Sequence, residues 1–287
     1  MRQRLNFWVI GGDPRQMALA RSLSEDGHTV HTYALERGGE PALAADSLAG
    51  AALADCVILP LPAAEGERLN APLSSQRLTL SQVLAPLCPG QLLCAGMADS
   101  DLREAAEGKG LVFRDYFTRE ELAVANAVPT SEGAIQIAME ELPITLHRAR
   151  VLVIGYGRLG KVLAGQLKGL GALVSVAARS WTDLAWAQTC GYGVERSDQL
   201  SGWLCGYDLV INTVPAPVLG WAELSDISGG CLIIDLASKP GGVDFAAAAE
   251  LGVKVIWALS LPGKTAPVTA GLAIKNTVYN ILTELGV

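Results

Sequence analysis

Charge, aromatic rings and histidine are all scarce in this chain. Of its 287 residues 18% are charged and 6% aromatic, and only three are histidine. Half of the residues are hydrophobic, which argues against disorder and leaves ample material for a buried core. Lys and Arg number 22 against 29 Asp and Glu, and the net charge of −7 is a poor match for sequence-independent DNA binding. None of the six cysteines (56, 88, 94, 190, 205, 231) forms a C-x-x-C pair, and most lie in apolar surroundings. They read as reduced thiols of a cytosolic protein, and with so few histidines a zinc enzyme is not expected either. Long unbroken apolar runs are missing too. The mean hydropathy of +0.31 raises the question of a membrane, but the most apolar stretch, 42–64, is interrupted by Asp46, Asp55, Pro60 and Pro62. The opening segment carries two arginines and an apolar run too short for a secretory signal, so it reads as a first strand and the expected location is cytoplasmic.

What the chain does have is a repeated plan. The length allows two domains or one long α/β unit. Apolar runs end in glycine at Val9-Ile10-Gly11-Gly12 and again at Val153-Ile154-Gly155-Tyr156-Gly157. Sixteen residues after Gly11 stands Gly27, and sixteen after Gly155 stands Gly171, each followed by a strand-like run. Further on, 55–62 matches 208–215, 90–94 matches 230–234, and 110–113 matches 252–256. Strand, glycine turn, helix, strand, twice and in register, predicts two doubly wound parallel-sheet domains of Rossmann type with a ligand cleft between them. The boundary is expected near residue 128, giving 1–127 as a substrate or partner domain and 128–268 as the nucleotide domain. The joining segment 128–143 predicts a helix capped by Thr130 or Ser131 and ended by Pro143. A last helix, 269–287, is expected to return to the first domain, with hinges near 126–130 and 262–270.

The second half carries a dinucleotide signature. Gly155-Tyr156-Gly157-Arg158-Leu159-Gly160 follows a strand and opens a helix, which is the context the motif needs. Gly155 permits the tight turn, Gly157 lets backbone approach a pyrophosphate, and Gly160 lets the helix pack on the strand. An NAD site usually has Asp or Glu at the end of the next strand, but here the strand runs into Arg179 and Ser180, which suit a 2′-phosphate and predict NADP over NAD. Asn212, Thr213, Val214 and Pro215 are expected to line the nicotinamide ribose. Ala237, Ser238 and Lys239 can face the nicotinamide, or serve only as a Pro/Gly-rich turn.

In the first half Asp13 stands where Gly157 does and Gln16 where Gly160 does. A carboxylate at the point of closest approach repels a pyrophosphate, so this turn is not expected to hold a dinucleotide. Gly12, Arg15 and Gln16 at a helix N-terminus suit a small carboxylate; equally, Asp13 can cap the helix with Pro14 at its first position.

Gly11–Gln16, Asn126–Ile135, the glycine motif, Asp235–Gly242 and Leu261–Gly271 together resemble the dipicolinate synthase family, specifically its A subunit, in the same order along essentially the whole chain. The resemblance implies oxidation of dihydrodipicolinate to dipicolinate in endospore formation, with NAD(P) and a flavoprotein-like B subunit as partner; a homodimer is also compatible. For such a dicarboxylate, Arg15 and Lys264 are the expected carboxylate-binding cations. Thr130 and Ser131 can bind a carboxylate or the nicotinamide amide, and Lys239 or Asp13 can take the proton. A 2-hydroxyacid dehydrogenase of similar architecture is the competing enzyme reading, but His28, His31 and His147 all fall outside the loops where its catalytic histidine would sit. A nucleotide-binding component completed by its partner is the third.

Overall fold

The computed structural model describes residues 4–287 apart from residue 39. Its contacts divide it into two compact units, one of the residues up to Asn126 together with Ala266–Val287, the other Ala127–Thr265.

The first unit begins with β1 (Asn6–Ile10), α1 (Pro14–Glu25) and β2 (Thr29–Tyr33). After β2 the chain makes two short 3-10 turns, Pro41–Leu43 and Leu48–Leu53, before β3 (Cys56–Ile58). A small antiparallel hairpin, β4 (Ala64–Glu65) and β5 (Arg68–Leu69), precedes α2 (Leu80–Leu84), β6 (Leu92–Ala95), α3 (Ser100–Gly108) and β7 (Val112–Asp115). The sheet is parallel throughout, in the order β2-β1-β3-β6-β7. Successive residues of β1 feed opposite cores: Phe7 and Val9 pack into one, Trp8 and Ile10 into the other. Both faces are therefore covered, which is why such strands read as continuous apolar runs.

The helix α4 (Glu120–Glu141) runs for 22 residues straight through Pro129. This corrects the expectation of a helix starting at Thr130 or Ser131. Glu120 and Glu121 occupy the first turn, where the helix dipole favours negative charge, and the alanine-rich stretch behind them is helix-forming. Pro129 removes one N–H from the ladder without ending the helix. Ser131 Oγ bonds back to the Val128 carbonyl at 3.1 Å, and it also meets Gln166 Oε1. Thr130 and Ser131 are thus mid-helix and cap nothing.

The second unit contains β8 (Arg150–Ile154), α5 (Arg158–Gly169), β9 (Leu173–Ala178), α6 (Trp181–Thr189), β10 (Gly193–Arg196) and β11 (Leu209–Asn212). It goes on through α7 (Trp221–Ser225), β12 (Leu232–Asp235), α8 (Phe245–Leu251), β13 (Lys254–Trp257) and α9 (Leu261–Thr265). Its sheet, also all parallel, runs β10-β9-β8-β11-β12-β13. The chain therefore reverses direction of winding between β8 and β11, and ligands of open α/β sheets bind outside the strand ends at such a point. The first sheet reverses between β1 and β3 and, among the described residues, has no strand outside β2, where the 3-10 segment stands in the place of α6 and β10 of the second unit.

The repeat extends to individual hydrogen bonds. Asp55 and Asp208 each precede the strand beside the first one, and each carboxylate accepts the backbone N–H that opens that first strand, Asn6 and Arg150 respectively, at 2.7 Å. Each glycine turn is closed alike, Gly11 N–H onto Tyr33 O and Gly155 N–H onto Ala177 O, both at 2.8 Å.

The last helix, α10 (Pro267–Glu284), belongs to the first unit and packs along α1. A Cβ at Gly271 would lie 2.5 Å from the Arg15 carbonyl and 3.0 Å from Ala18 Cβ, so glycine is what allows the close approach. Lys275 is drawn into this contact, its Nζ donating to Ser22 Oγ and Asp26 Oδ2 at 2.7 Å each. No described helix is long and apolar enough to cross a membrane.

Candidate functional site

The glycine turn between β8 and α5 assigns each of its glycines a separate task. Gly155 has φ +97°, and a Cβ there would meet Thr213 Oγ1 at 2.3 Å. Gly160 lies against the turn itself, with a Cβ position 2.0 Å from the Gly155 carbonyl oxygen. Gly157 is different: a Cβ there would meet nothing within 4 Å. Two glycines are thus required by packing, and the third leaves open space at a helix N-terminus. The first intrahelical bond of α5 is Lys161 N–H to Gly157 O at 3.0 Å, so the N–H groups of Leu159 and Gly160 have no acceptor within the helix. An open backbone approach facing these N–H groups fits the pyrophosphate of a dinucleotide. Tyr156 turns inward, with its ring edge-on to Tyr192 and Lys161 Nζ 5.6 Å from its centre. Burial lifts its phenol above the ordinary value, so it stays neutral.

At the end of β9, Arg179 is exposed and Ser180 caps α6, its Oγ accepting from Asp183 N–H at 3.3 Å. No carboxylate occupies the strand end itself. One residue here escapes a reading of the sequence alone. Arg196, last in β10, pairs in register with Ala178 and donates from Nη1 to the Arg179 carbonyl at 2.9 Å. Only the sheet order puts these two arginines side by side.

Beyond β11 and β12 a buried polar lock shapes the loops. Asn212 and Asp235 are both fully buried. Asn212 Nδ2 donates to Asp235 Oδ1 (2.8 Å) and to Val214 O (3.0 Å), while its Oδ1 accepts from Val214 N–H (3.0 Å). Asp235 also accepts from Ala237 N–H and Gly242 N–H at 3.0 and 2.8 Å. A Cβ at Gly242 would lie 2.2 Å from Asn212 Nδ2. The Asn212 amide thus holds the loop 213–218, and with it the backbone of Thr213, Val214 and Pro215 that is expected to line the ribose. Thr213 donates from Oγ1 to Ile154 O at 2.9 Å, tying the ends of β11 and β8 together beside Gly155. Val214 is half-buried and Pro215 exposed. Ala237 is buried, its carbonyl accepting from Trp257 Nε1 at 2.9 Å, whereas Ser238 and Lys239 are exposed on the same turn.

The corresponding turn of the first unit is closed by its own chain. Asp13 caps α1 from Oδ1 (2.9 Å to Arg15 N–H), Gln16 Oε1 accepts from Asp13 N–H at 3.1 Å, and Pro14 takes the first helical position. The Arg15 guanidinium folds back on the Asp13 carboxylate, Nη2 to Oδ2 at 2.7 Å, and donates to Leu61 O at 2.5 Å; the residue is 7% exposed. Gly12, at φ +110°, lies against the Gln16 side chain, and a Cβ at Gly11 would strike Leu69. Near the end of β2, Glu36 accepts from Ser74 Oγ, Ser75 N–H and Ser75 Oγ. Asp13 and Arg15 pair with each other and Arg15 reaches Leu61 O, while Gln16 uses its Oε1 on Asp13 N–H and leaves its Nε2 buried with no hydrogen-bond partner among the described residues. Asp13 therefore serves as the helix cap with Pro14 at the first helical position, and the carboxylate reading of Gly12, Arg15 and Gln16 remains an expectation.

Thr130 and Ser131, mid-helix, offer no helix-terminal N–H groups. Lys264 is exposed on the short helix α9. The sequence's candidates therefore separate into a cradle (155–160), a strand-end pair (Arg179, Ser180), two exposed lysines (Lys239, Lys264) and a set of structural locks.

A family model described as the N-terminal domain of the dipicolinate synthase A subunit matches residues 6–117. The chain is 34% identical to the A subunit of dipicolinate synthase from Bacillus subtilis (strain 168) over 289 aligned positions, 98% of this chain and 97% of that protein. The crystal structure of the dipicolinate synthase A chain from Bacillus subtilis matches with a TM-score of 0.88 at 32% identity, over 100% of this chain and 98% of the other. At the level of fold alone, a transhydrogenase from Sinorhizobium meliloti matches with a TM-score of 0.70 at 17% identity, over 96% and 92% of the two chains.

Proposed function

The chain belongs to the family of dipicolinate synthase A subunits, and from that membership we propose that it oxidises dihydrodipicolinate to dipicolinate during endospore formation. In this reading it works with a nicotinamide dinucleotide, NADP in preference to NAD, and with a second, flavoprotein-like B subunit. The observation that carries the cofactor reading is the open space at Gly157 above the helix N–H groups of Leu159 and Gly160, flanked by two glycines that packing requires.

The dihydropyridine ring must lose a hydride and a proton to become aromatic. A bound nicotinamide would supply the hydride acceptor. Aromatisation favours the products, so the chain's task is mainly to hold the ring in place. Two substrate carboxylates call for cations. Lys239 and Lys264 are exposed, and neither joins an ion pair among the described residues. We assign the carboxylates to them. The Asp235–Asn212 lock fixes the backbone that carries Lys239. The hydroxyacid-dehydrogenase reading has less support. His28 is buried at the start of β2, accepting the Leu5 N–H at Nδ1 (3.2 Å), and His147 is exposed in the segment before β8, its Nδ1 2.4 Å from where a Cβ at Gly171 would lie.

The test is NADPH formation from freshly generated dihydrodipicolinate by the purified chain, with and without its B subunit. Lys239→Ala and Lys264→Ala should each raise KM about tenfold or more while NADP affinity holds. Gly157→Asp should fold and lose NADP binding by about 100-fold or more, because its carboxylate would meet the pyrophosphate. Wild-type NADP affinity in Gly157→Asp would sink the cofactor assignment; activity only in the presence of the B subunit would make this chain a nucleotide-binding component completed by its partner.

A further inference from the structure

Where β9 and β10 end side by side, the guanidinium of Arg196 is held on three sides. Trp181, the first residue of α6, lies under it, with 4.7 Å from the guanidinium carbon to the ring centre. Asp198 accepts from Nε at 2.9 Å and from Nη2, and the Arg179 carbonyl accepts from Nη1. An arginine has five N–H donors, so two remain after these three bonds. Arg179, exposed on the neighbouring strand end, brings a second positive charge to the same corner. The Asp198 carboxyl registers both. It is held below its ordinary value chiefly by the hydrogen bonds from Arg196, with the charge of Arg179 adding to them.

A structural ion pair alone does not account for this arrangement. Exposed Arg–carboxylate pairs contribute about 0–1 kcal/mol, yet here the pair is stacked on an indole that remains 73% exposed. A rigid, flat guanidinium with free donors next to a second arginine is what a phosphomonoester needs, since arginine binds phosphate through paired N–H groups and stacks on aromatic rings.

We propose that Arg196 recognises the 2′-phosphate of NADP, with Arg179 as the second cation, and that Asp198 and Trp181 are positioning residues that hold its guanidinium for the task. The proposal rests on the reading of the second unit as a nicotinamide-dinucleotide site. It adds the residue that selects the phosphorylated form, and that residue lies on a strand separate from the glycine motif and from Arg179.

The experiment is calorimetric titration of the full chain with NADP, NAD and 2′,5′-ADP. Arg196→Met should weaken NADP and 2′,5′-ADP by about 10- to 100-fold, the loss of one charge-assisted paired contact, and leave NAD within about twofold. Arg196→Lys, which keeps the charge but not the fork, should fall between. Asp198→Ala should lower the NADP-to-NAD preference less than Arg196→Met does, with Asp198→Glu restoring part of it. An unchanged preference in Arg196→Met, with the wild type still binding both dinucleotides and Gly157→Asp binding neither, overturns the proposal and leaves the dinucleotide site standing. Failure of the wild type to bind either dinucleotide overturns both.

Discussion

Glycine, asparagine and aspartate act here as the residues that decide what the backbone can approach. A Cβ would lie 2.3 Å from its nearest neighbour at Gly155 and 2.0 Å at Gly160, whereas at Gly157 it would meet open space, so three identical residues in one motif answer to different constraints. Asp235 shows the opposite case, a charged side chain at zero exposure justified only by its partners. Asp235→Ala would leave Ala237 N–H, Gly242 N–H and one Asn212 donor buried without acceptors. We expect a loss of about 3 kcal/mol or more, read from urea unfolding, together with reduced activity from the loosened loop that carries Lys239. Undiminished stability would mean that water replaces the carboxylate. At this scale the glycine motif was legible in the sequence because its spacing is a local signature. Arg196 was not, because its neighbours come from a different strand.

Among the elements, α4 departs most from its sequence signals. Val128-Pro129-Thr130-Ser131 carries the marks of a boundary, a proline followed by two capping residues, yet the helix continues. A proline costs a helix one hydrogen bond and a steric adjustment, and well-formed turns on either side, packed by Ala127, Ala134 and Ala138, outweigh it. The segment after β2 departs in the other direction: where the repeat expects a helix and a strand, it makes 3-10 turns and ties its end down through Glu36. Partial burial works to raise the Glu36 pKa. The bonds to its carboxylate, from its own backbone N–H, Ser75 N–H and the Ser74 and Ser75 hydroxyls, prevail and hold it at about 2, against an ordinary 4.5. A carboxyl with a depressed folded pKa contributes stability that is present above its unfolded value and lost as pH falls through the folded one. Urea midpoints should therefore show Glu36→Gln less stable than wild type at neutral pH. The gap should narrow steadily from about pH 4.5 to about pH 2. A gap independent of pH would show that the carboxylate's charge contributes nothing.

For the whole molecule, chain order and unit membership do not coincide. α10 follows the second unit in sequence and belongs to the first, where Ile274, Val278, Ile281 and Leu282 complete the core against α1. Burying four such side chains is worth on the order of 8 kcal/mol, comparable with the stability of a whole domain. Removing residues 266–287 should therefore unfold the first unit while the second, which keeps its own cores, still melts cooperatively and is still stabilised by NADP. Calorimetry would resolve the two transitions; loss of the NADP-stabilised one would show that the second unit depends on α10. By itself the sequence determined the two parallel α/β units, the glycine cradle in one and its loss in the other, because these follow from short-range spacing and from the apolar strands that two-sided burial demands. Only the tertiary structure decided which polar residues near those turns are free. Whether Asp13, Arg15, Asn212 or Arg196 has donors or acceptors left over depends on which neighbours the sheet order and loop paths bring within about 3 Å, and hydrogen bonds of that length are set by the fold and not by separation along the chain.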